Sequence, residues 1–221
     1  MTKKVLSEDN FYFEITEKSL DLANDVIKKM KGNTFHNHYH ILYDICESLD
    51  DEITYLEIGT YCGASASLVS LSEKVRKIYS VDIGHPMNKE VPIDNVNNFK
   101  NDNCVYEYIM GSSMSDEIIK YVTENVKKID VFYIDGDHSK NAVIKDFENY
   151  SNLVSVGGYI IFDDYMDKMY SPEVKNGVDF IVDNLLEDKY EIIGSVSYDL
   201  ISKTNCPHFI SSNEFVLKKI K

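Results

Sequence analysis

At 221 residues the chain suits one medium-sized domain with room for a substantial core, and nothing in its composition marks a second. Its 37 acidic and 23 basic side chains leave a formal charge of −14, which argues against a duplex-binding surface, since neutralising phosphates needs clustered Lys and Arg; no nucleic-acid partner is expected. No uninterrupted apolar run is long enough to span a membrane and the N-terminal MTKKVLSEDNF lacks a hydrophobic signal core, so the chain reads as cytoplasmic, with no membrane partner.

The first element runs from about Ser7 to Lys31, where Leu20, Leu22, Ala23, Val26 and Ile27 form a helical apolar stripe that Gly32-Asn33 ends. His36, His38 and His40 then alternate ahead of Ile41, Leu42 and Ile45. In a strand they would share a face, but the downstream spacing is helical, which pairs only His36 with His40. A solvated helix start is the favoured reading, ahead of residues lining a substrate mouth and ahead of a metal site.

The stretch from Ile53 to Asp82 organises the rest. Tyr55 to Ile58 is a short apolar run containing Glu57, the turn after it holds Gly59 and Gly63, and Ala64 to Leu71 returns to helical spacing. Glycine suits Gly59 because the chain must leave the sheet with unusual φ and let a ligand approach the backbone. A second apolar run, Ile78 to Val81, ends in Asp82, about 20 residues beyond the turn, a spacing that suits a carboxylate facing ribose hydroxyls. The pattern is E-x-G-x-x-x-G rather than the G-x-G-x-x-G that holds a pyrophosphate, which disfavours a dinucleotide.

Ile83 to Phe99 reads as a loop with a short helix, and Cys104 to Met110 as a third strand ending in Gly111-Ser112-Ser113. A serine there could also cap the helix that begins near Asp116. Ile129 to Ile134 is a strand of the kind buried on both faces and ends in Asp135-Gly136-Asp137-His138. A helix over Asn141 to Leu153 follows; Gly157-Gly158 then opens a strand, Tyr159 to Phe162, that ends in Asp163-Asp164-Tyr165. Val174 to Leu186 is an amphipathic helix, and Tyr190 to Val196 and Glu214 to Ile220 are two closing strands, the last antiparallel. Met166 to Lys175 and Ser197 to Asn213 read as loops over the active face.

Successive strands therefore end in polar or acidic residues, and in open α/β sheets such endings converge on one crevice. Asp135, Asp137, Asp163 and Asp164 would raise one another's pKa unless a cation joined them, and oxygen donors in that number favour a hard ion such as Mg²⁺. Cys46, Cys62, Cys104 and Cys206 show no C-x-x-C spacing and read as small thiols, Cys62 alone lying in the turn.

The strings EIGTYCG, YIDGDHS and GGYIIFDDY carry a family resemblance. From roughly Thr54 to Phe180 the chain resembles the class I S-adenosylmethionine-dependent methyltransferases, and the last two strings resemble the group that contains the macrolide and sugar O-methyltransferases and the cephalosporin hydroxylase-like proteins. The resemblance implies an α/β, Rossmann-like methyltransferase fold: a mostly parallel seven-stranded sheet with helices on both faces and an antiparallel last strand. A single domain would span residues 1–221, its N-terminal helices (about 7–50) forming part of the substrate mouth. S-adenosylmethionine would lie against Glu57, Gly59, Thr60, Tyr61, Gly63 and Ser65, with Asp82 at the ribose, Ser112 and Ser113 at the adenine, and Asp135 nearby. Asp135, Asp163 and Asp164 would hold Mg²⁺ or another hard divalent cation.

His138 departs from the sugar-methylating members, which tend to have an apolar or aromatic residue there, so the base is left open between Asp137 and His138. Either could instead serve a helix cap. The expected function is Mg²⁺-assisted O-methylation of a hydroxyl on a small molecule or sugar. A metal-independent methyltransferase and a non-catalytic nucleoside- or glycan-binding module of the same fold are the alternatives. Homo-oligomerisation is compatible with the sequence but not specified by it.

Overall fold

The computed structural model describes residues 16–32, 39–50, 52–84, 88–195 and 214–221. Its helices are α1 (Glu17–Lys29), α2 (His40–Ser48), α3 (Ala64–Val69), α4 (Glu90–Phe99), α5 (Asp116–Asn125), α6 (Lys140–Tyr150) and α7 (Val174–Asn184). Its strands are β1 (Ile53–Ile58), β2 (Val75–Asp82), β3 (Val105–Met110), β4 (Ile129–Ile134), β5 (Val154–Phe162), β6 (Tyr190–Ser195) and β7 (Phe215–Lys219). Among the described residues they form one seven-stranded sheet in the order β3-β2-β1-β4-β5-β7-β6. The first five strands run parallel to one another, and β7 runs antiparallel between β5 and β6.

Side-chain alternation explains the layers. In β1, Ile53 and Tyr55 join the cluster beneath α1 to α4, whereas Leu56 and Ile58 join the one beneath α5 to α7. Every residue of β4 is buried, as a central parallel strand covered on both faces requires. The sheet is thus sandwiched between helices, as the sequence suggested.

Local chemistry sets the helix limits. Thr16 caps α1 by accepting from Ser19 N–H, so that helix begins at Glu17; the earlier part of the expected Ser7–Lys31 helix lies outside the described residues. Asp44, buried in α2, accepts from Thr16 N–H at 3.0 Å, Thr16 Oγ1 at 2.8 Å and Ser19 Oγ at 2.6 Å, which ties the first two helices together. His40 opens α2 but is buried, so the solvated helix start expected there is not found; His36 and His38 lie outside the described residues.

Gly157 and Gly158 sit inside β5 rather than before it. The strand starts at Val154, and the β4 pairing shifts register between Ile129 and Val131. A Cβ on Gly158 would stand 2.8 Å from the Asp130 carbonyl oxygen, so the close approach of the two backbones demands glycine there. The segment after α6 tightens into a 3₁₀ turn at Ser151–Leu153, ending that helix earlier than its apolar spacing suggested. Among the described residues no helix is long and apolar enough to cross a membrane.

Candidate active site at the carboxyl edge of the sheet

The parallel ladder continues one residue past its strands. Gly59 N–H donates to Val81 O, Asp135 N–H to Ile58 O, Asp163 N–H to Ile134 O and Gly111 N–H to Asp82 O. Five strand ends are thereby held side by side, and two cavities open above them.

The larger cavity, about 580 Å³, runs from Ile58–Tyr61 past Val81–Gly84 and Gly111–Met114 to Asp135–His138. Gly59 makes the crossing possible: its φ is 85°, and a Cβ would lie 1.8 Å from the Asp135 carbonyl oxygen. Gly63, with φ 82°, begins α3, and Tyr61 between them also adopts a left-handed conformation, φ 47°. Asp82 Oδ2 accepts from Thr60 N–H at 2.6 Å and Tyr61 N–H at 2.9 Å, and its Oδ1 accepts from Gly84 N–H at 2.6 Å. The carboxylate expected at a ribose therefore also holds the glycine turn in place. Asn95 braces the turn from α4, donating from Nδ2 to Cys62 O at 2.8 Å.

Glu57, expected against the ligand, is fully buried and lines neither cavity. Its Oε1 accepts from Ser80 Oγ at 2.7 Å, and its Oε2 from Ser65 Oγ at 2.8 Å and Tyr55 Oη at 3.1 Å. Burial raises its pKa to about 7 against the opposing pull of those hydroxyls. Ser65, which also lines the smaller cavity, links the two regions.

Ser112 and Ser113 line the far end of the larger cavity, while Ser115 takes the capping role for α5. The Ser113 carbonyl accepts from Tyr150 Oη at 2.6 Å, so α6 fixes this end as α4 fixes the other. Ile83 and Met114, exposed apolar side chains in the same wall, gave no distinct signal in the sequence.

The smaller cavity, about 190 Å³, lies between Tyr39, Thr60–Cys62, Ala64, Ser65, Tyr133, Asp135, His138, Asp163 and Asp164. It shares Thr60, Tyr61, Asp135 and His138 with the larger one. Asp135, His138 and Asp164 each offer a donor atom within 4.8 Å of the others. Among the described residues this trio is the compact donor group; His138 joins it in place of the expected Asp163, which lines the same cavity but stands outside the trio. His138 Nε2 lies 3.5 Å from Asp135 Oδ1, and Nδ1 lies 3.6 Å from Asp164 Oδ2.

Asp137 turns elsewhere: its Oδ1 accepts from Ser139 N–H at 2.8 Å, and Ser139 rather than Asp137 or His138 caps α6. Burial, Asp163 and Asp164 push the Asp135 carboxyl well above the usual carboxylate range, opposed by His138. The hydrogen bond to Asp135 and the surrounding carboxylates raise His138 to about 9 against its burial. Cys62, in the cavity wall, is not an activated thiol, since burial raises it to about 11. Cys46 and Cys104 are buried free thiols, and Cys206 lies outside the described residues.

Residues 56–165 match the model of a methyltransferase domain. An uncharacterized protein of Acanthamoeba polyphaga mimivirus is 34% identical over 209 residues, covering 90% of this chain and 94% of that protein. The fold is shared with the O-methyltransferase of Bacillus cereus solved with SAH, at 16% identity and a TM-score of 0.60 over 93% of this chain and 92% of that one. It is also shared with the O-methyltransferase NovP, at 15% identity and a TM-score of 0.61 over 86% and 84%. A Clostridium thermocellum protein provisionally described as an rRNA-methylase has the same fold at 17% identity and a TM-score of 0.58, over 85% of this chain and 100% of that one.

The chain belongs to the class I S-adenosylmethionine-dependent methyltransferases.

Proposed function

We propose that this enzyme O-methylates a hydroxyl on a small molecule or sugar, with a hard divalent cation held beside the acceptor. One observation carries the reading: the glycine-turn cavity and the acidic cavity meet at Asp135 and His138. A donor in one and an acceptor in the other would touch across those two side chains.

The larger cavity has the volume of a small-molecule site and a glycine turn whose backbone a ligand can approach, which fits S-adenosylmethionine. When bound, that cofactor supplies both the methyl group and the leaving group of an in-line displacement from its sulfonium. Asp82 orders the Thr60–Tyr61 turn, and Ser112 and Ser113 form the opposite wall at the adenine end. Asp135 and Asp164 supply hard oxygen donors for the cation, with Asp163 adding charge nearby and His138 standing beside them. When bound, a cation of this kind lowers the pKa of an acceptor hydroxyl and neutralises the carboxylates around it.

His138 is the group placed to receive the acceptor's proton, because it lines both cavities; Asp137 lines only the larger one and one of its oxygens serves the turn at Ser139. The protonated His138 between Asp135 and Asp164 supports a second reading, in which the imidazolium supplies the positive charge and no metal is needed. Methyl transfer to a panel of hydroxylated acceptors, assayed after chelation and again after Mg²⁺ is restored, separates the two. The first reading expects loss and recovery; activity indifferent to chelation removes the cation, and turnover on none of the acceptors removes O-methylation.

A further inference from the structure

Asp146 stands in the middle of α6 and takes no part in the chemistry above, yet it is only 1% exposed. Its Oδ1 has no hydrogen-bond partner among the described residues, and its Oδ2 lies 3.6 Å from where a Cβ on Gly136 would stand, just behind the lining of the larger cavity. The same face of α6 grips Ser113 in the wall of that cavity. One turn on, Tyr150 Oη donates to the Ser113 carbonyl at 2.6 Å, and Asn149 Nδ2 donates to it at 3.5 Å. Burial holds the Asp146 carboxyl up at about 6 against the pull of a hydrogen bond from the Ser113 hydroxyl, and Asp137 adds to the rise. Above that pH the side chain is ionised.

A buried carboxylate oxygen without a donor costs stability that an apolar residue at this point of the helix would avoid. What an ionised Asp has, and Asn lacks, is a side chain that only accepts. It therefore fixes the direction of its neighbour: the single Ser113 proton goes to α6, and the lone pairs of that hydroxyl are what remain for a ligand. Ser112 differs, since its Oγ already accepts from Met114 N–H at 3.3 Å.

We propose that Asp146 is a positioning residue that selects the nucleobase: it draws the Ser113 proton toward α6 and so presents that hydroxyl to the larger cavity as an acceptor. Adenine offers such an acceptor an exocyclic N–H, whereas the 6-oxo base of an inosyl analogue sets lone pair against lone pair. The cavity is thereby built for a 6-aminopurine. The inference rests on the reading above that this cavity seats the adenosyl group, and it assigns that seat a residue one layer behind the wall.

The test is the ratio of two dissociation constants, measured by calorimetry on the full chain at about pH 8, where Asp146 is ionised: that of S-inosylhomocysteine over that of S-adenosylhomocysteine. The wild type is expected to favour the adenosyl compound by about tenfold to a hundredfold. In Asp146→Ala the freed hydroxyl can turn either way, and the ratio should fall to within about threefold of one. Ser113→Ala, a change in the cavity wall, should lower it as far, and adding Asp146→Ala to that variant should lower it no further, because Asp146 acts through Ser113. A general loss of packing would instead weaken both compounds alike and leave the ratio standing. Equal wild-type affinities, or a ratio that survives either single substitution, overturn the proposal. If neither compound binds, the adenosyl seat itself falls and the proposal falls with it.

Discussion

Glu57 couples the cofactor turn to pH, and the effect can be worked through. Burial raises its pKa from 4.5 in the ordinary carboxyl to about 7 in the fold. Between those values the folded protein keeps a proton that the unfolded chain has released. This group's contribution is therefore fully present below about pH 4.5 and is lost as pH rises through about 7. At about 1.4 kcal/mol per pH unit the loss is about 3 kcal/mol, undiminished by solvent because the side chain is fully buried. Glu57→Gln keeps the shape, and the hydroxyls of Tyr55, Ser65 and Ser80 can turn to match an amide. Urea unfolding of both proteins at intervals from about pH 5 to about pH 8 gives a stability difference in which the other titrating groups cancel. The wild type is expected to lose about 2–3 kcal/mol relative to Glu57→Gln across that range. Parallel curves would refute the reasoning, since they would mean that Glu57 keeps an ordinary pKa.

The other predictions concern the turn, its braces and the acidic edge. Gly59→Ala, forced against the Asp135 carbonyl in a left-handed conformation, should cost about 3–5 kcal/mol and abolish calorimetric binding of S-adenosylmethionine. Asp82→Ala frees three backbone N–H groups and should weaken cofactor binding at least about tenfold; an unchanged Kd would show that the turn needs no such anchor. Tyr150→Phe removes the hydrogen bond to Ser113 and should lower stability by about 1 kcal/mol, measured by denaturant unfolding. Asp164→Asn should reduce methyl transfer about a hundredfold while the cofactor Kd changes less than about threefold, and full activity would remove Asp164 from the chemistry.

Much of this architecture could be read from residue order because parallel strands advertise themselves. Each is a short apolar run, and β4, buried on both faces, has almost nothing else to be. The polar residue closing each run marks the ligand edge, which is why the Asp82, Asp135 and Asp163–Asp164 positions were legible. What escaped depended on distance rather than order. Nothing local says that Glu57 points away from the cavities into a ring of hydroxyls, because alternation along β1 fixes a face but not what the other elements bring to it. His138 enters the donor trio through its position one residue past Asp137, at the start of a turn whose geometry the serine cap decides. Ser171 reaches the site from the Met166–Lys175 loop, which the sequence placed over the active face without singling out the serine. Gly157 and Gly158 read as punctuation, yet they lie within β5 at a register shift that only the neighbouring backbone of Asp130 requires.

The central claim is that one ligand edge seats a sulfonium donor beside a dication. A crystal structure of the full chain with SAH and Mn²⁺, phased for the anomalous signal of the ion, tests it most directly. The account predicts the adenosyl group between the Gly59–Gly63 turn and Ser112–Ser113, with the manganese peak bonded to Asp135 and Asp164. SAH seated elsewhere, or an ion that touches neither carboxylate, would contradict it.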